Sequence, residues 1–296
     1  MRIRFYSALG LAAAAVWPVV ATGAPRIAAA GDIACRPGLR PTRVSCRQAR
    51  TADLLVGHRR LVAVLPLGDE QYPNGSLADF RAVYHRTWGQ VRWKSRPVPG
   101  NHEYKTPAAS GYFRYFGARA GRRGRGWYSY HIGRWHLVAL NANCRAVGGC
   151  GRTAPETRWL RRDLTNHHPA CTLVYWHQAR FSSGADHGNL SEYDTWWRVL
   201  YNHHVDVILN GHDHVYERFA LQTPNRVHDR RHGIREFVVG TGGSSFDRFR
   251  PRPKNLQYRQ NHHFGVLKLT LKPRSYRWRF VTAGRRILDR GSTACH

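Results

Sequence analysis

Short apolar segments that end in a glycine and then a polar residue constrain the fold of this chain most. The run at residues 61–67 ends in Gly68-Asp69, and the run at residues 26–30 ends in Gly31-Asp32. A buried strand that stops in this way brings a carboxylate to the carboxyl edge of a sheet, where open α/β proteins bind their ligands. A single Gly-Asp pair is typical of an ordinary turn, so the inference depends on repetition of the pattern.

The pattern recurs at three more predicted strand ends, near Gly100, at His177 and near Gly211. Taken singly, each polar residue could belong to a turn, to a satisfied core histidine or to a solvated loop. Carboxylate, imidazole, amide and phenol groups are also ligands of hard or borderline metals, and this many suit two ions. Asp69, on a central strand, is the candidate to lie between the ions. The five strand ends supply Asp32, Asp69 with Tyr72, Asn101 with His102, His177, and the pair His212 and His214.

Helical patterns separate the first strands, and strands dominate the last third of the chain. The order predicts an α/β fold, a four-layer α-β-β-α sandwich of two mixed sheets flanked by helices, in one domain at residues 24–296. A β-hairpin is predicted around Gly133-Arg134. Helices are predicted at residues 45–56, 77–87, 112–116, 156–167 and 193–203, and the late strands at residues 235–239, 266–271, 276–281 and 285–288.

Residues 1–23 predict a secretory signal peptide. Arg2 and Arg4 give a charged start, an apolar run at residues 8–20 follows, and residues 21–23 are small, as at a cleavage site. An uncleaved anchor or a buried first helix is the alternative. We expect a secreted protein that begins near Ala24 and has no transmembrane anchor, because no second apolar run is long enough to cross a bilayer.

The six cysteines fit an exported protein, because an even number in an oxidising compartment indicates disulfides. Many pairings are open, and the sequence alone does not choose among them. We favour two pairs that close short loops and a third that ties the C-terminus to a core strand. A cysteine metal site is the alternative, but the chain has no Cys-x-x-Cys pair. The favoured pairs are Cys35 with Cys46, Cys144 with Cys150, and Cys171 with Cys295.

The formal net charge of +29 indicates anionic partners. Phosphate esters, nucleic acid and anionic surface polymers all fit such a field. Most of the basic residues are arginine, and an arginine excess can also come from a GC-rich genome. The charge therefore suggests a class of partner without selecting one.

The ordered motifs resemble the calcineurin-like metallophosphoesterases, and more narrowly the purple acid phosphatases. In the latter, a tyrosine in the second motif and the extended motif at residues 211–218 are typical. The resemblance covers residues 26–282 and suggests a catalytic domain alone. Ala34 departs from the histidine that the wider superfamily usually has there. The motifs are Gly31-Asp32, Gly68-Asp69-x-x-Tyr72, Gly100-Asn101-His102-Glu103, Val174-x-x-His177 and Gly211-His212-x-His214.

The resemblance implies a role for each of these residues. His102 would face the substrate, and His187 matches a second histidine on the substrate side. Gln178 stands where some relatives have another histidine, and Glu103 and Asp213 are interpreted as groups that orient ligand histidines. A phenolate suits Fe(III) at the first site, and Zn, Mn or Fe(II) is expected at the second. The implied ligands are Asp32, Asp69, Tyr72 and His214 for the first ion, and Asp69, Asn101, His177 and His212 for the second.

The resemblance and the donor set together predict a secreted, acid phosphatase-like phosphoric ester hydrolase. Paired metal ions lower the pKa of a bound water, and the resulting hydroxide would attack phosphorus in line. A phosphomonoester is the expected substrate. A phosphodiesterase or nuclease with the same site, and a basic secreted binding protein with an inactive site, are the alternatives.

Overall fold

The computed structural model describes residues 23–58 and 60–296, so the predicted signal peptide, apart from Gly23, lies outside the described residues. In that part of the chain, no helix is both long and apolar enough to span a membrane. The strands are β1 (Arg26–Ala30), β2 (Leu61–Pro66), β3 (Tyr128–Ile132), β4 (Trp135–Ala139), β5 (Cys171–Gln178), β6 (Val207–Gly211), β7 (Tyr216–Phe219), β8 (Arg235–Val239), β9 (Leu256–Gln260), β10 (Gly265–Lys272), β11 (Ser275–Thr282) and β12 (Ile287–Ala294).

Within the described residues, five α-helices and several short 3-10 helices connect the strands. The α-helices are α1 (Gln48–Ala52), α2 (Leu77–Ala82), α3 (Ser110–Phe116), α4 (Pro155–Asn166) and α5 (Asp194–Asn202). The 3-10 helices are Tyr84–Arg86, Trp88–Lys94, Glu103–Lys105, Pro107–Ala109, Gly117–Ala120, Cys144–Ala146 and Ser191–Tyr193.

The strands form two mixed sheets. The five-stranded sheet has the order β12-β11-β10-β1-β2, in which β1 and β2 are parallel and the other neighbours antiparallel. The seven-stranded sheet has the order β3-β4-β5-β6-β8-β7-β9, with parallel pairing from β4 to β8. Parallel strands align their carboxyl ends, so each sheet presents one edge on which loop residues can gather.

Alternating side chains of the seven-stranded sheet pack against two different layers. Leu137 and Leu173 belong to the same hydrophobic cluster as Leu267 of the five-stranded sheet, so the two sheets face each other. Their neighbours Val138 and Val174 belong to a second cluster that includes side chains of α4 and α5. Side chains of α2 and α3 join the first cluster. The predicted sandwich of two mixed sheets flanked by helices is confirmed.

Several predicted boundaries were wrong, and two strands were not predicted. The first helix begins only at Gln48, because Cys46, two residues earlier, adopts a left-handed backbone, and it ends at Ala52, where turns replace the helix. The second α-helix ends at Ala82, where Val83 leaves helical geometry and 3-10 turns follow. β7 and β9 escaped prediction because tertiary pairing, and not an apolar pattern, defines them. β12 continues to Ala294, well beyond the predicted residue 288.

All three favoured disulfides are present. Cys35 bonds Cys46, Cys144 bonds Cys150, and Cys171 bonds Cys295. The third links the first residue of β5 to the C-terminus across 124 positions of sequence. It therefore holds the end of the five-stranded sheet against the seven-stranded sheet.

Candidate metal centre

The carboxyl ends of β1, β2, β5 and β6 meet where the two sheets come together. The backbone N–H of His212 donates to Asp32 Oδ2 at 2.9 Å, and His177 Nδ1 lies 2.7 Å from the Leu67 carbonyl oxygen. Asp32, Asp69 and His212 all adopt the left-handed backbone region, with φ of 59°, 48° and 72°. Such conformations cost energy for residues with a side chain and concentrate at functional sites.

Two of the glycines in the motifs are required by close approach. A Cβ on Gly100 would lie 2.1 Å from Asp69 Oδ1, and a Cβ on Gly68 would lie 2.5 Å from His177 Nδ1. Gly68 also has φ of +86°, which glycine tolerates best. These glycines let the loops bring a carboxylate and an imidazole together.

The Tyr72 hydroxyl lies at the centre of the first group of donors. Its oxygen lies 3.0 Å from Asp32 Oδ1, 3.1 Å from Asp69 Oδ2 and 2.9 Å from His214 Nε2, and its single proton can be donated to either carboxylate. His214 Nε2 is 3.3 Å from Asp32 Oδ1. The structure therefore brings together all four residues predicted for the first ion.

Asp69, His177 and His212 form the second group. His177 Nε2 lies 3.3 Å from Asp69 Oδ2 and 3.3 Å from His212 Nδ1. Asn101 sits between Gly100 and His102, whose backbone N–H donates to Asp69 Oδ1 at 2.8 Å. Among the residues that the structure describes, the buried Asn101 Oδ1 has no hydrogen-bond partner. An acceptor buried without a donor is unfavourable unless a cation or water satisfies it.

The donor spacing fits metal ions. Bonds of about 2.0 to 2.2 Å from one ion separate neighbouring ligand atoms by about 3 Å, which is the spacing seen in both groups. Asp69 Oδ2 belongs to both groups, so its carboxylate can bridge two ions. Asp69, His177 and His212 each offer a ligand atom within 4.8 Å of the others. The residues present thus fit a dinuclear centre with Asp69 shared.

The buried carboxylates and imidazoles of the site shift one another's pKa values. Burial would raise the pKa of Asp69, but His177 and His102 hold it well below its usual range. Burial would lower the pKa of His177 and His214, but Asp69 and Asp32 respectively raise both to about 9. Burial and the nearby carboxylates raise the pKa of the Tyr72 phenol well above its usual value. Bound cations reverse these preferences because they favour anionic oxygen and neutral imidazole donors.

His212 is already suited to bind a cation. Burial and the neighbouring rings of His177 and His187 lower its pKa well below the usual value. A neutral imidazole keeps the lone pair that a metal requires. His212 can therefore bind a metal ion without first losing a proton.

Two residues near His214 were not identified from the sequence. Ser245 Oγ lies 2.7 Å from His214 Nδ1, and Asp247 Oδ2 accepts the His214 backbone N–H at 2.7 Å. Burial raises the pKa of Asp247 to about 6 despite the opposing effect of His214. Both residues lie in the glycine-rich loop after β8, where the only sequence signal is a serine and an aspartate in a turn.

The two predicted substrate-side histidines line the outer part of the site. The His102 side chain is 21% exposed, and its Nε2 lies 3.9 Å from Asp69 Oδ2. His187 is exposed, and its ring centroid is 3.9 Å from that of His212. Gln178, at the position where some relatives have a histidine, is buried. His102 and His187 can therefore contact a ligand that approaches from solvent.

The contacts of Glu103 and Asp213 differ from the predicted ones. Glu103 touches backbone: its Oε2 accepts the N–H groups of Asp69 and Gly100, at 2.9 and 2.8 Å, and its Oε1 accepts that of Gln71, at 3.2 Å. Asp213 Oδ1 accepts the Gly188 N–H at 3.1 Å. The carbonyl of Leu67 and the hydroxyl of Ser245 contact the ligand histidines instead. The buried backbone N–H groups of two loops need a buried acceptor, and local sequence does not show this.

The α/β sandwich and the set of donor side chains at the edge of its sheets together place this chain in the class of metal-dependent hydrolases. The chain belongs to the calcineurin-like phosphoesterase family, because the model of that family matches residues 25–216, more than half of the chain. The prediction of the family is thereby confirmed.

Curated relatives share part of the chain. Purple acid phosphatase 15 of Arabidopsis thaliana is 28% identical over 162 residues, which cover 50% of this chain and 29% of that protein. An uncharacterized protein of Mycobacterium tuberculosis (strain ATCC 25618 / H37Rv) is 26% identical over 237 residues, which cover 65% of this chain and 44% of that protein. The chain thus spans less than half the length of these relatives.

Solved structures share the fold. A purple acid phosphatase from yellow lupin (Lupinus luteus) seeds superposes with a TM-score of 0.78 at 16% identity, over 91% of this chain and 53% of that one. GAP50, the anchor in the inner membrane complex of Plasmodium, gives a TM-score of 0.69 at 13% identity, over 93% of this chain and 90% of that one. At such low sequence identity, the similarity to these structures shows a shared fold alone.

Proposed function

We propose that the protein is a dinuclear-metal phosphatase that hydrolyses phosphomonoesters. The observation that carries the proposal is the Tyr72 hydroxyl, which lies 2.9 to 3.1 Å from Asp32, Asp69 and His214. A phenolate is a hard anionic donor, so Fe(III) is the proposed ion beside Tyr72. Zn, Mn or Fe(II) is proposed beside Asn101, His177 and His212. Family membership and the purple acid phosphatase relatives support this assignment.

When bound, the two ions would supply Lewis acidity that activates water and neutralises charge on the phosphoryl group. Asp69 holds the two donor groups together, and the three N–H groups that Glu103 accepts fix the loops around it. A phosphate ester would enter from the side where His102 and His187 are accessible to solvent. We assign the proton transfer to the leaving group and the hydrogen bonding to the phosphoryl oxygens to these two histidines.

His102 is oriented for proton transfer. Its Nδ1 lies 2.6 Å from the Pro73 carbonyl oxygen, which can only accept, so Nδ1 carries a proton. Nε2 is then the nitrogen that exchanges a proton, and Lys105 Nζ lies beside the ring, 3.0 Å from Nδ1 and 3.1 Å from Nε2. We propose that His102 Nε2 protonates the departing alcohol, while His187 donates a hydrogen bond to the phosphoryl oxygens.

Leaving groups of different basicity test the role of His102. His102→Asn should reduce kcat about 100-fold or more on an alkyl phosphate, which needs a proton donor. The loss on p-nitrophenyl phosphate should be smaller, because nitrophenolate leaves without protonation. The control variant, His85→Asn, changes an exposed histidine in the 3-10 turn that follows α2, and it should leave both rates unchanged. Equal losses on the two substrates would contradict proton donation by His102.

A phosphodiesterase or nuclease is the second candidate, and the net charge of +29 favours it. Rates on p-nitrophenyl phosphate, bis(p-nitrophenyl) phosphate and single-stranded DNA, measured side by side with one preparation, separate the candidates. The proposed monoesterase should prefer the first substrate at physiological salt. A preference for DNA that weakens steeply with salt would favour the nuclease instead.

We also propose that the protein is exported and that residues 24–296 form a single domain. The three disulfides support export, because such bonds persist in oxidising compartments. N-terminal sequencing of protein recovered from the culture medium or cell envelope tests both the export and the cleavage site. The expected sequence begins near Ala24, and retention of residues 1–23 inside the cell would contradict the proposal.

A further inference from the structure

A second cluster of metal-ligand side chains lies far from the dinuclear centre. His131 of β3 and His136 of β4 are directly opposite in the antiparallel register, so their side chains share one face. Asp163 lies in the last turn of α4, and His167, the residue that follows the helix, turns back so that its Nδ1 lies 2.7 Å from the Asp163 carbonyl oxygen. The hairpin and the helix thus bring three imidazoles and one carboxylate together.

The distances within this cluster are short. His136 Nε2 lies 2.7 Å from Asp163 Oδ2, and His167 Nδ1 lies 3.6 Å from Asp163 Oδ1. Ring centroids are 4.7 Å apart for His131 and His136, 5.2 Å for His131 and His167, and 4.4 Å for His136 and His167. His136, Asp163 and His167 each offer a ligand atom within 4.8 Å of the others.

His136 is buried with one nitrogen unsatisfied. Its ring is fully buried, and across residues 23–58 and 60–296 no group hydrogen-bonds Nδ1. His167 Nδ1 lies 2.7 Å from the Asp163 carbonyl oxygen, which fixes a proton on Nδ1 and leaves the lone pair on Nε2. Ser129 donates to Asp163 Oδ1 at 2.7 Å. Metal-ligating groups commonly have such orienting hydrogen bonds.

A single buried His–Asp hydrogen bond does not account for the cluster. Such a pair needs His136 and Asp163 only, whereas His131 and His167 stack against the same ring and make no hydrogen bond with it. Imidazoles with a carboxylate are a donor set that Zn²⁺ prefers.

The cluster is separate from the dinuclear centre. His136 pairs with Thr172 on β5, five residues before His177. A strand rises about 3.3 Å per residue, so the two positions are about 16 Å apart along the sheet. His136 also shares the side of β4 on which Val138 packs against the helices α4 and α5, and not the side that faces the other sheet.

We propose that His131, His136, Asp163 and His167 form a third metal site, which takes one borderline divalent ion such as Zn²⁺ and ties the β3–β4 hairpin to α4. His136 and Asp163 form its buried wall. His131 is exposed and His167 partly so, which leaves the ion a route from solvent and lets these two rings adjust.

Counting ions tests this site in the loaded protein. Wild type and variants are incubated with excess Zn²⁺, passed through a desalting column at micromolar free Zn²⁺, and analysed by mass spectrometry of the metals. His167→Gln and His131→Gln should each hold one ion fewer per chain than wild type. His85→Gln, a matched change at an exposed histidine elsewhere, should hold the wild-type number.

The test compares the number of bound ions per chain between wild type and the variants, and it does not use the total number. It therefore remains valid if the proposed dinuclear function is wrong. The far-ultraviolet circular dichroism spectra and the Tm of both cluster variants, compared with wild type, show whether they fold, and any cleavage of p-nitrophenyl phosphate that wild type performs should be unchanged. Co²⁺ in place of the extra ion should give ligand-field bands that disappear in both variants. Equal counts in wild type and both variants, or the same loss in His85→Gln, would overturn the proposal.

Discussion

Replacement of Glu103 by Gln tests how the loops around Asp69 are held. The carboxylate accepts three backbone N–H groups, from Asp69, Gln71 and Gly100. Gln can keep the oxygen that serves Asp69 and Gly100, but its amide nitrogen would then face the Gln71 N–H. Burial and Asp69 raise the pKa of Glu103 to about 7, so the comparison applies above that pH, where the carboxylate is ionised. There the unsatisfied buried donor costs about 1 to 3 kcal/mol, and each remaining bond to a neutral acceptor is weaker by about 1 kcal/mol. The expected destabilisation is therefore about 3 to 5 kcal/mol.

Thermal unfolding and metal titration measure the consequence. For a chain of this size, that loss of stability lowers Tm on the order of 10 °C. Metal affinity should fall about 10- to 100-fold, because Asp69 loses its fixed position. Glu192→Gln makes the same chemical change at an exposed position and should leave both values unchanged. A Glu103→Gln protein with the Tm and metal affinity of wild type would refute the reasoning.

Two further predictions concern stability. Burial raises the pKa of Glu217 to about 7 from an ordinary 4.5, so between these values the folded state holds a proton that the unfolded chain has released. The unfolding free energy should thus fall by up to about 3 kcal/mol as pH rises from 4.5 to 7, and urea titrations of Glu217→Gln should lack this contribution. Removal of the disulfide between Cys171 and Cys295, which spans 124 positions, should cost about 4 to 5 kcal/mol. Denaturant titration of the double Ser variant measures that loss, and a change below about 1 kcal/mol would contradict it.

The sequence predicted which polar side chains meet at the sheet edge because each strand end is a local pattern. An apolar run, a glycine and a polar residue are visible within a few positions, and the parallel strands align their ends. Tyr72 could be found because it lies three residues beyond Asp69, in the same loop. The structure places these groups at one sheet edge for the same reason.

Contacts that depend on distant loops could not be predicted. Ser245 and Asp247 reach His214 from a loop without hydrophobic periodicity. Glu103 was assigned to histidines, but three converging N–H groups determine its contacts. β7 was missed because Glu217 and Arg218 interrupt its apolar pattern, and both are satisfied by partners far along the chain, Ser183 and Asp289.

Metal content with a visible spectrum, measured on native protein and on Tyr72→Phe, tests the central claim most directly. The account predicts two ions at the centre of Asp32, Asp69 and Tyr72 and a coloured protein, because a tyrosinate bound to Fe(III) absorbs visible light. Tyr72→Phe should lose the colour and most of the phosphatase activity. Less than one ion per chain in native protein, or an unchanged spectrum with full activity in Tyr72→Phe, would contradict the account.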